Sequence, residues 1–458
     1  MTATDPTATD LAARVRAAVD AAFDDAVELL EELVAIDSTN PSFPGIDGTA
    51  AAGGEARCVA LLEQRYLALG LRTERVASDP VRPNLVATLA GAGDGRALIL
   101  NGHVDTVPPV RRETWTMADP WRPERRGGEL LGLGATDMKG GLAAGWLAVR
   151  ALRDAGVALA GDLCVQCVVG EEQMQHELGT SAATAAALAA LGVDSPPDAE
   201  RIGAIVLEPS STPEPLSLSP LSAGNHVFRV TIDGRATHAG NRGEAVRPGG
   251  AGSDVGVNAV EKALLIVRAL QELEQEWGQT RSHPAFAPGF FTINPGALHA
   301  DAGTPSPAYL ADRAELDVLA WYPPDEAAED VRAELEWRIA TAAALDPWLR
   351  DTPPRIDWLG NWPAASTTWE APVVQALAQA REQVTGAPTP APGPDHRSGF
   401  AAVTDASFLE AAGIPAVVFG PGDLRRAHSA DEGIELEQLK TCAAAVALAA
   451  IDFCGVAP

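Results

Sequence analysis

The sequence has few cysteines, and the two that form a motif do not favour chemistry. Five cysteines in 458 residues is a small and odd number, typical of a reducing compartment and not of a disulfide-bonded secreted protein. Cys164 and Cys167 form a C-x-x-C pair inside the apolar run LCVQCVV. In a strand these positions point to opposite faces. We therefore expect two buried thiols here and no zinc or redox pair.

Basic residues and long apolar runs are also scarce. The chain has 34 Lys and Arg against 62 Asp and Glu, a formal net charge of -28. A field of this sign repels nucleic acid and anionic membranes, so neither is expected as a partner. No run of 18 uncharged apolar residues occurs, and the N-terminus MTATDPTATD lacks the regions of a signal peptide. The sequence thus predicts a cytoplasmic globular protein.

Apolar runs alternate with helical patterns along most of the chain. The runs that read as buried strands are ALIL (97–100), LCVQCVV (163–169), AIVL (204–207) and AVVF (416–419). Helices are predicted from Asp10 to about Val34 and near 140–154, 180–191 and 371–385. This alternation predicts an α/β domain with a mostly parallel sheet and helices on both faces.

The pattern changes near residue 222. HVFRVTIDG alternates like a half-exposed strand, and the predicted elements that follow are a helix at 256–277, strands near 289–294 and 314–321, a helix at 325–344 and a strand at 355–359. The order β-α-β-β-α-β is typical of a ferredoxin-like α+β domain. We expect residues 222–363 to form this domain, inserted into a catalytic domain made of 1–221 and 364–458.

Acidic and histidine side chains follow the predicted parallel strands. They are His103 and Asp105 after ALIL, Glu171 and Glu172 after LCVQCVV, Glu208 after AIVL and His428 after AVVF, with Asp137 in the glycine-rich turn GLGATDMKGG. The carboxyl ends of such strands share one edge of the sheet, where ligands bind. Each residue alone could be a cap or a solvated charge. Together, crowded carboxylates favour two divalent cations about 3.5 to 4 Å apart.

Six segments resemble, in order, a family of metallohydrolases. They are NGHVDTVP, GLGATDMKGG, GEE, LEPS, TDASFLEAAGIPAVVFGPG and AHSADE. They are similar to the co-catalytic zinc family of acetylornithine deacetylase, succinyl-diaminopimelate desuccinylase, aminoacylase and glutamate carboxypeptidase. The resemblance extends from ELVAIDSTNPS at 32–42 to AHSADEGIELEQL at 427–439.

The resemblance implies a role for each residue at the sheet edge. His103 and Glu208 would hold one ion, Glu172 and His428 the other, and Asp137 would bridge both. Asp105 would orient His103, as metal-bound imidazoles require. Glu171 would be the general base, which takes a proton from water and hands it to the departing amine. Zinc is the expected metal, and cobalt or manganese suits the same ligand types.

The inserted domain resembles the lid and dimerisation domain of the same family. His238 in GRATHAG would stabilise the developing oxyanion in the active site of a partner subunit. Asn294 in TINPGAL would contact the substrate. The helix at 256–277, with apolar residues such as Leu264 and Leu270, would supply part of a homodimer contact.

The lid strand of this sequence departs from the family's pattern at a position that bears on the substrate. Many relatives carry a lid arginine that clamps the substrate carboxylate, but AELDVLAWYPP has Ala320 or Trp321 near that place. Substitutes are Arg397, Arg425 and Arg426, or the amides of Gly420 and Gly422.

The predicted function is hydrolysis of the amide bond of a small N-acyl amino acid or a related amine. A carboxypeptidase or dipeptidase that acts on short peptides with the same metal core is the alternative. A binding protein without catalysis is disfavoured because the base and all the ligand positions are filled.

Overall fold

The structure is a computed structural model that describes residues 6–48, 53–193 and 196–457, with the backbone alone for residues 6–9. The chain divides into two compact units. We call Met1–Ser222 with Ala365–Pro458 the outer unit, and Ala223–Ala364 the inserted unit. No helix in the described ranges is long and apolar enough to cross a bilayer.

The described helices and strands are numbered here in chain order. The helices are α1 (Pro6–Val34), α2 (Gly54–Ala68), α3 (Gly140–Asp154), α4 (Thr180–Leu191), α5 (Arg242–Val246), α6 (Ala259–Thr280), α7 (Ala328–Leu345), α8 (Pro347–Asp351), α9 (Pro372–Thr385), α10 (Ala406–Ala411) and α11 (Leu436–Cys454). The strands are β1 (Arg72–Val76), β2 (Asn84–Leu89), β3 (Ala97–His103), β4 (Glu124–Arg126), β5 (Glu129–Leu131), β6 (Leu163–Val168), β7 (Ile202–Pro209), β8 (Gly224–Asp233), β9 (Thr237–His238), β10 (Ile293–Asp301), β11 (Tyr309–Leu310), β12 (Arg313–Tyr322), β13 (Arg355–Trp362), β14 (Ala416–Gly420) and β15 (Gly433–Glu435).

The outer unit is built around a sheet whose central strands are parallel. In the described part of the chain, its strand order is β1-β2-β6-β3-β7-β14. β3 runs parallel to β6 and β7, and β14 runs parallel to β7, whereas β2 is antiparallel to β6. The predicted parallel sheet is confirmed. Its carboxyl edge carries His103 and Glu208.

Helices cover both faces of this sheet, as predicted. Buried side chains of α1, α2, α3, α9 and α11 form one core with Leu98 and Leu100 of β3, and those of α4 and α10 form a second core with Ile99. Cys167 belongs to the first core and Cys164 to the second, and both thiols are free. The expected pair of buried thiols on opposite faces is therefore confirmed.

The inserted unit has the ferredoxin-like order. Four of its described strands form an antiparallel sheet in the order β10-β12-β8-β13, and β9 pairs with β11 in a separate small sheet. α6 and α7 pack on one face, and their buried side chains form a core with Phe228, Val230 and Leu316 of the sheet. The other face is partly open, because alternate residues of β12 are half-buried. This confirms the α+β architecture, while a lid role for the inserted unit stays a prediction.

Candidate metal centre

His103 lies at the carboxyl end of β3 in contact with two acidic residues. Its Nε2 atom is 3.1 Å from Asp137 Oδ1 and 3.3 Å from Glu208 Oε1. Asp137 comes from the turn Ala135–Lys139 ahead of α3, and Glu208 comes from the end of β7. All three side chains are buried. The structure thus brings together the three residues predicted to hold one ion.

The second histidine of the centre, His428, also lies in contact with two acidic residues. His428 Nε2 is 3.3 Å from Asp137 Oδ2 and 3.1 Å from Glu172 Oε2. Asp137 therefore directs one carboxylate oxygen at each histidine, which is the position required of a bridging ligand. The side chain of His428 is 52% exposed, so this half of the centre is open to solvent.

Glu171 lies beside the same cluster. Its Oε2 atom is 3.8 Å from His103 Nε2, and its side chain is only 10% exposed. Burial and the charges of Glu208 and Glu172 raise the pKa of Glu171 well above its usual range. A carboxylate with a raised pKa is a stronger proton acceptor when ionised, which suits a general base.

The donor set fits a pair of divalent cations. Ligand atoms of His103, Glu171 and Glu208 all lie within 4.8 Å of one another, and so do those of His103, Asp137 and Glu172. Imidazole nitrogens and carboxylate oxygens are ligands that zinc and similar metals accept. Because the first group contains Glu171, geometry alone also permits Glu171 as a ligand.

Protons must balance the charge of this cluster when no cation is bound. Burial, and then the charge of Asp137, raise the pKa of Glu208 to about 8. Burial disfavours a charged His428, but hydrogen bonds to Asp137 and Glu172 outweigh it and raise its pKa to about 11. Below these values the groups carry protons that a metal ion has to displace.

Zinc binding should therefore release protons at pH 7, and zinc affinity should rise with pH. Calorimetric titration in two buffers of different ionisation enthalpy measures the release as a difference in apparent binding enthalpy. The His428→Ala variant should release fewer protons than the wild type. Identical enthalpies in both buffers would contradict the proton balance described here.

Asp105 contacts both His103 and the turn that carries Glu171. His103 Nδ1 lies 3.0 Å from the backbone oxygen of Asp105 and 3.7 Å from its carboxylate. The carboxylate instead accepts the side-chain amide of Asn40 at 2.8 Å and the backbone N–H groups of Glu171 and Glu172 at 3.3 and 3.1 Å. The main chain of Asp105 thus contacts His103, and its side chain holds the turn that carries Glu171 and Glu172.

Glycines let two segments approach β7 closely enough to assemble the centre. A Cβ atom on Gly141 would lie 1.9 Å from the backbone oxygen of Leu207, and one on Gly420 would lie 2.5 Å from that of Glu208. Neither position can hold a side chain without moving the strand that carries Glu208. The close packing of Gly420 against β7 therefore explains why a glycine stands at this position next to the site.

The amides predicted to bind a substrate carboxylate have partners in the protein. Gly420 N–H donates to Ser210 Oγ at 3.2 Å, and Gly422 N–H donates to Gln438 Oε1 at 3.0 Å. These bonds count against the prediction that both amides bind substrate, since an N–H group has one hydrogen to donate. Arg397 is exposed in a loop, and its role stays a prediction.

Two predicted site residues belong to the inserted unit. His238 ends β9 and is exposed, and its Nδ1 accepts the N–H of Gly240 at 3.0 Å. Asn294 is exposed on β10, opposite Leu319 of β12. Their roles stay predictions.

Several residues that build the site were not predicted. Asn40 supports Asp105, the buried Lys139 donates to the backbone oxygens of Leu33 and Ile36 at 2.9 Å each, and Glu432 contacts the turn of Asp137. All of them lie in or beside segments singled out in the sequence, DSTNPS, TDMKGG and AHSADE. Lys139 could have been found as a charged residue in a glycine-rich turn, whereas Asn40 and Glu432 stand among other polar residues and give no such signal.

The fold and the donor set together define a class of protein, the metal-dependent hydrolases. Residues 99–452 match the sequence model described as Peptidase family M20/M25/M40. The chain belongs to this family, which confirms the resemblance seen in the sequence. It is accordingly an enzyme that acts on amide bonds.

Two relatives are named as a deformylase and a deacetylase. The N-formyl-4-amino-5-aminomethyl-2-methylpyrimidine deformylase of Halalkalibacterium halodurans is 32% identical over 429 residues, 89% of this chain and 91% of the relative. An acetylornithine deacetylase of Myxococcus xanthus is 30% identical over 433 residues, 93% and 97% of the two chains. The crystal structure of human carnosine dipeptidase 1 is similar in fold, with a TM-score of 0.69, 16% identity and coverage of 97% and 99%.

Proposed function

We propose that this chain is a dinuclear metal-dependent hydrolase that removes the acyl group from a small N-acyl amine and releases a carboxylic acid. The observation that carries this proposal is the position of Asp137, whose two oxygens lie 3.1 and 3.3 Å from His103 and His428. His103 and Glu208 would hold one ion, and Glu172 and His428 the other. Zinc is the proposed metal, with cobalt or manganese as substitutes.

The reaction requires a proton to be moved from water to the leaving amine. Bound divalent ions would supply polarisation of the amide carbonyl and activation of a water molecule. Glu171 would take the proton of that water and then donate it to the amine nitrogen. The hydrogen bonds from the Glu171 and Glu172 amides to Asp105 hold the turn that carries this base.

The substrate amine favoured here has no carboxylate. Ala320 is fully buried, and Trp321 is half-buried with its ring centroid 6.1 Å from that of Phe290. Neither can form the bidentate pair that an arginine offers to a carboxylate. The H. halodurans relative is named for a formyl aminomethylpyrimidine, which also has no carboxylate. We therefore propose a formylated, or similarly small-acylated, heteroaromatic amine as the substrate class.

A substrate panel tests this choice. The zinc-loaded enzyme should hydrolyse the N-formyl amide of an aminomethylpyrimidine with kcat/KM at least about 100-fold above that for N-acetylornithine. The reason is that a site without polar partners for the ornithine carboxylate discriminates against that substrate by several powers of ten. N-succinyl-diaminopimelate and a simple dipeptide complete the panel. Preference for N-acetylornithine would contradict the proposed amine, and preference for the dipeptide would favour the exopeptidase alternative.

The inserted unit is proposed to act as a lid and to form a homodimer. Leu264 and Leu265 on α6 are 53% and 39% exposed, whereas Leu270 is buried in the core of the unit. On this helix, Leu264 and Leu265 thus offer exposed apolar surface to the proposed dimer contact, whereas Leu270 packs inside the unit. A cytoplasmic location likewise stays a prediction.

Complementation between inactive variants tests the proposed shared site. If His238 serves the active site of a partner subunit, His238→Ala and Glu171→Ala homodimers should each be nearly inactive. Exchange of their subunits should restore about a quarter of wild-type activity, since half of the dimers are mixed and each mixed dimer has one intact site. No recovery, in mixtures that chromatography shows to have exchanged subunits, would contradict the role of His238.

A further inference from the structure

Glu432 forms a buried clamp on the turn that carries Asp137. Its side chain is 1% exposed. One carboxylate oxygen, Oε1, accepts the backbone N–H groups of Thr136 and Asp137 at 2.9 Å each, and Oε2 accepts that of Gly134 at 3.0 Å. Glu432 follows His428 by four residues. One carboxylate therefore connects the segments of two proposed metal ligands.

Backbone contacts reinforce the same connection. Gly132 N–H donates to the backbone oxygen of Glu432 at 2.9 Å, and the Thr136 hydroxyl donates to that of Gly433 at 2.7 Å. β15 then pairs with β5, with Gly433 opposite Leu131. The Asp137 turn and the chain after His428 are thus held together at several consecutive points.

The Asp137 turn depends on an external acceptor for its N–H groups. Its residues are buried, and Asp137 has φ -121° and ψ 95°, which is not helical. Buried N–H groups without an acceptor are costly, so a turn that lost the carboxylate would move to find other partners. Movement of this backbone would displace the two oxygens that face His103 and His428.

We propose that Glu432 is a positioning residue for the bridging ligand Asp137. Its two oxygens accept three backbone N–H groups of the chain around Asp137, so we assign it the task of holding that turn and not of binding an ion. It fixes the position of Asp137 relative to His428. The ligands of both ions are therefore already at the correct separation in the metal-free protein. This inference rests on the two-metal centre of the proposed function.

Zinc titration of the Glu432→Gln variant tests the inference. The glutamine amide group places N–H donors against at least one of the three backbone N–H groups. We expect zinc affinity to fall by about 10- to 100-fold, as for other residues that orient metal ligands. The ion at Glu172 and His428 should be lost first, because both segments of the clamp contribute to it. Binding at limiting zinc should then fall from two ions toward one.

Glu410→Gln is the matched control. The Glu410 carboxylate also accepts a backbone N–H, that of Ser366 at 2.8 Å, together with the hydroxyl of Thr367, but it contacts none of the proposed ligands. The control should lose thermal stability and keep wild-type zinc affinity. Wild-type zinc affinity in Glu432→Gln would overturn the inference, and so would an equal loss in both variants.

Hydrogen exchange of the zinc-free wild type tests, without any variant, whether the Asp137 turn is held in place before zinc binds. Because the clamp precedes metal binding, peptides that span residues 132–139 should be protected from exchange before zinc is added. Protection that arises only with zinc would overturn the inference. A wild type that binds no second ion would instead count against the proposed function, and the exchange result would still apply to Glu432.

Discussion

Glu171→Gln should bind two zinc ions and lose about 10²- to 10⁴-fold in kcat, the usual contribution of a general base. Glutamine has the shape of glutamate but cannot accept the proton of the attacking water. Glu171 lies within 3.8 Å of His103, and its side chain is 10% exposed, so the replacement keeps the packing. The measurements are steady-state turnover and metal content by mass spectrometry.

Glu177→Gln is the control for this variant. Glu177 is exposed six residues further along the chain, and the same replacement there should change neither turnover nor metal content. Normal turnover in Glu171→Gln would contradict the base assignment. Loss of an ion together with loss of turnover would identify Glu171 as a ligand, the alternative that the cluster of His103, Glu171 and Glu208 permits.

Asp137→Ala should abolish the binding of two ions. One oxygen of Asp137 faces His103 and the other faces His428. A single replacement therefore removes a ligand from each of the two proposed ion positions. We expect zinc affinity to fall by more than about 100-fold, beyond the effect typical of residues that only orient ligands. Turnover should fall with metal content and should not recover at moderate excess zinc.

The comparison variant for Asp137→Ala is Asp198→Ala, in an exposed turn where the carboxylate accepts the N–H of Glu200 at 3.0 Å. It should bind zinc like the wild type. Two tightly bound ions in Asp137→Ala would contradict the bridging role. They would require a different residue to connect His103 and His428.

Much of the fold was predictable because the buried strands are short apolar runs with turns after them. ALIL lies in a strand that ends at His103, and AIVL lies in a strand that ends at Pro209, directly after Glu208. β1, with the sequence RTERV, was missed because it is an exposed edge strand with little apolar signal. The strand expected at 289–294 lies instead at Ile293–Asp301. The phenylalanines before it pack in an aromatic cluster, with Phe290 and Phe291 5.3 Å apart.

The candidate ligand residues of the site could be predicted from the sequence, but the contacts that hold them in place could not. Residues such as His103 and Glu208 can be recognised in the sequence because they are polar residues that closely follow short apolar runs. Glu432 and Asp137 are 295 residues apart, and nothing in a single sequence pairs a carboxylate with three distant N–H groups. The carboxylate of Asp105 likewise holds a turn that only the folded sheet brings near it.

Anomalous diffraction at the zinc edge from crystals of the zinc-loaded protein tests the central claim most directly. We expect two peaks about 3.5 to 4 Å apart, one beside His103 and Glu208 and the other beside Glu172 and His428, with Asp137 between them. A single peak, or peaks away from Asp137, would contradict it.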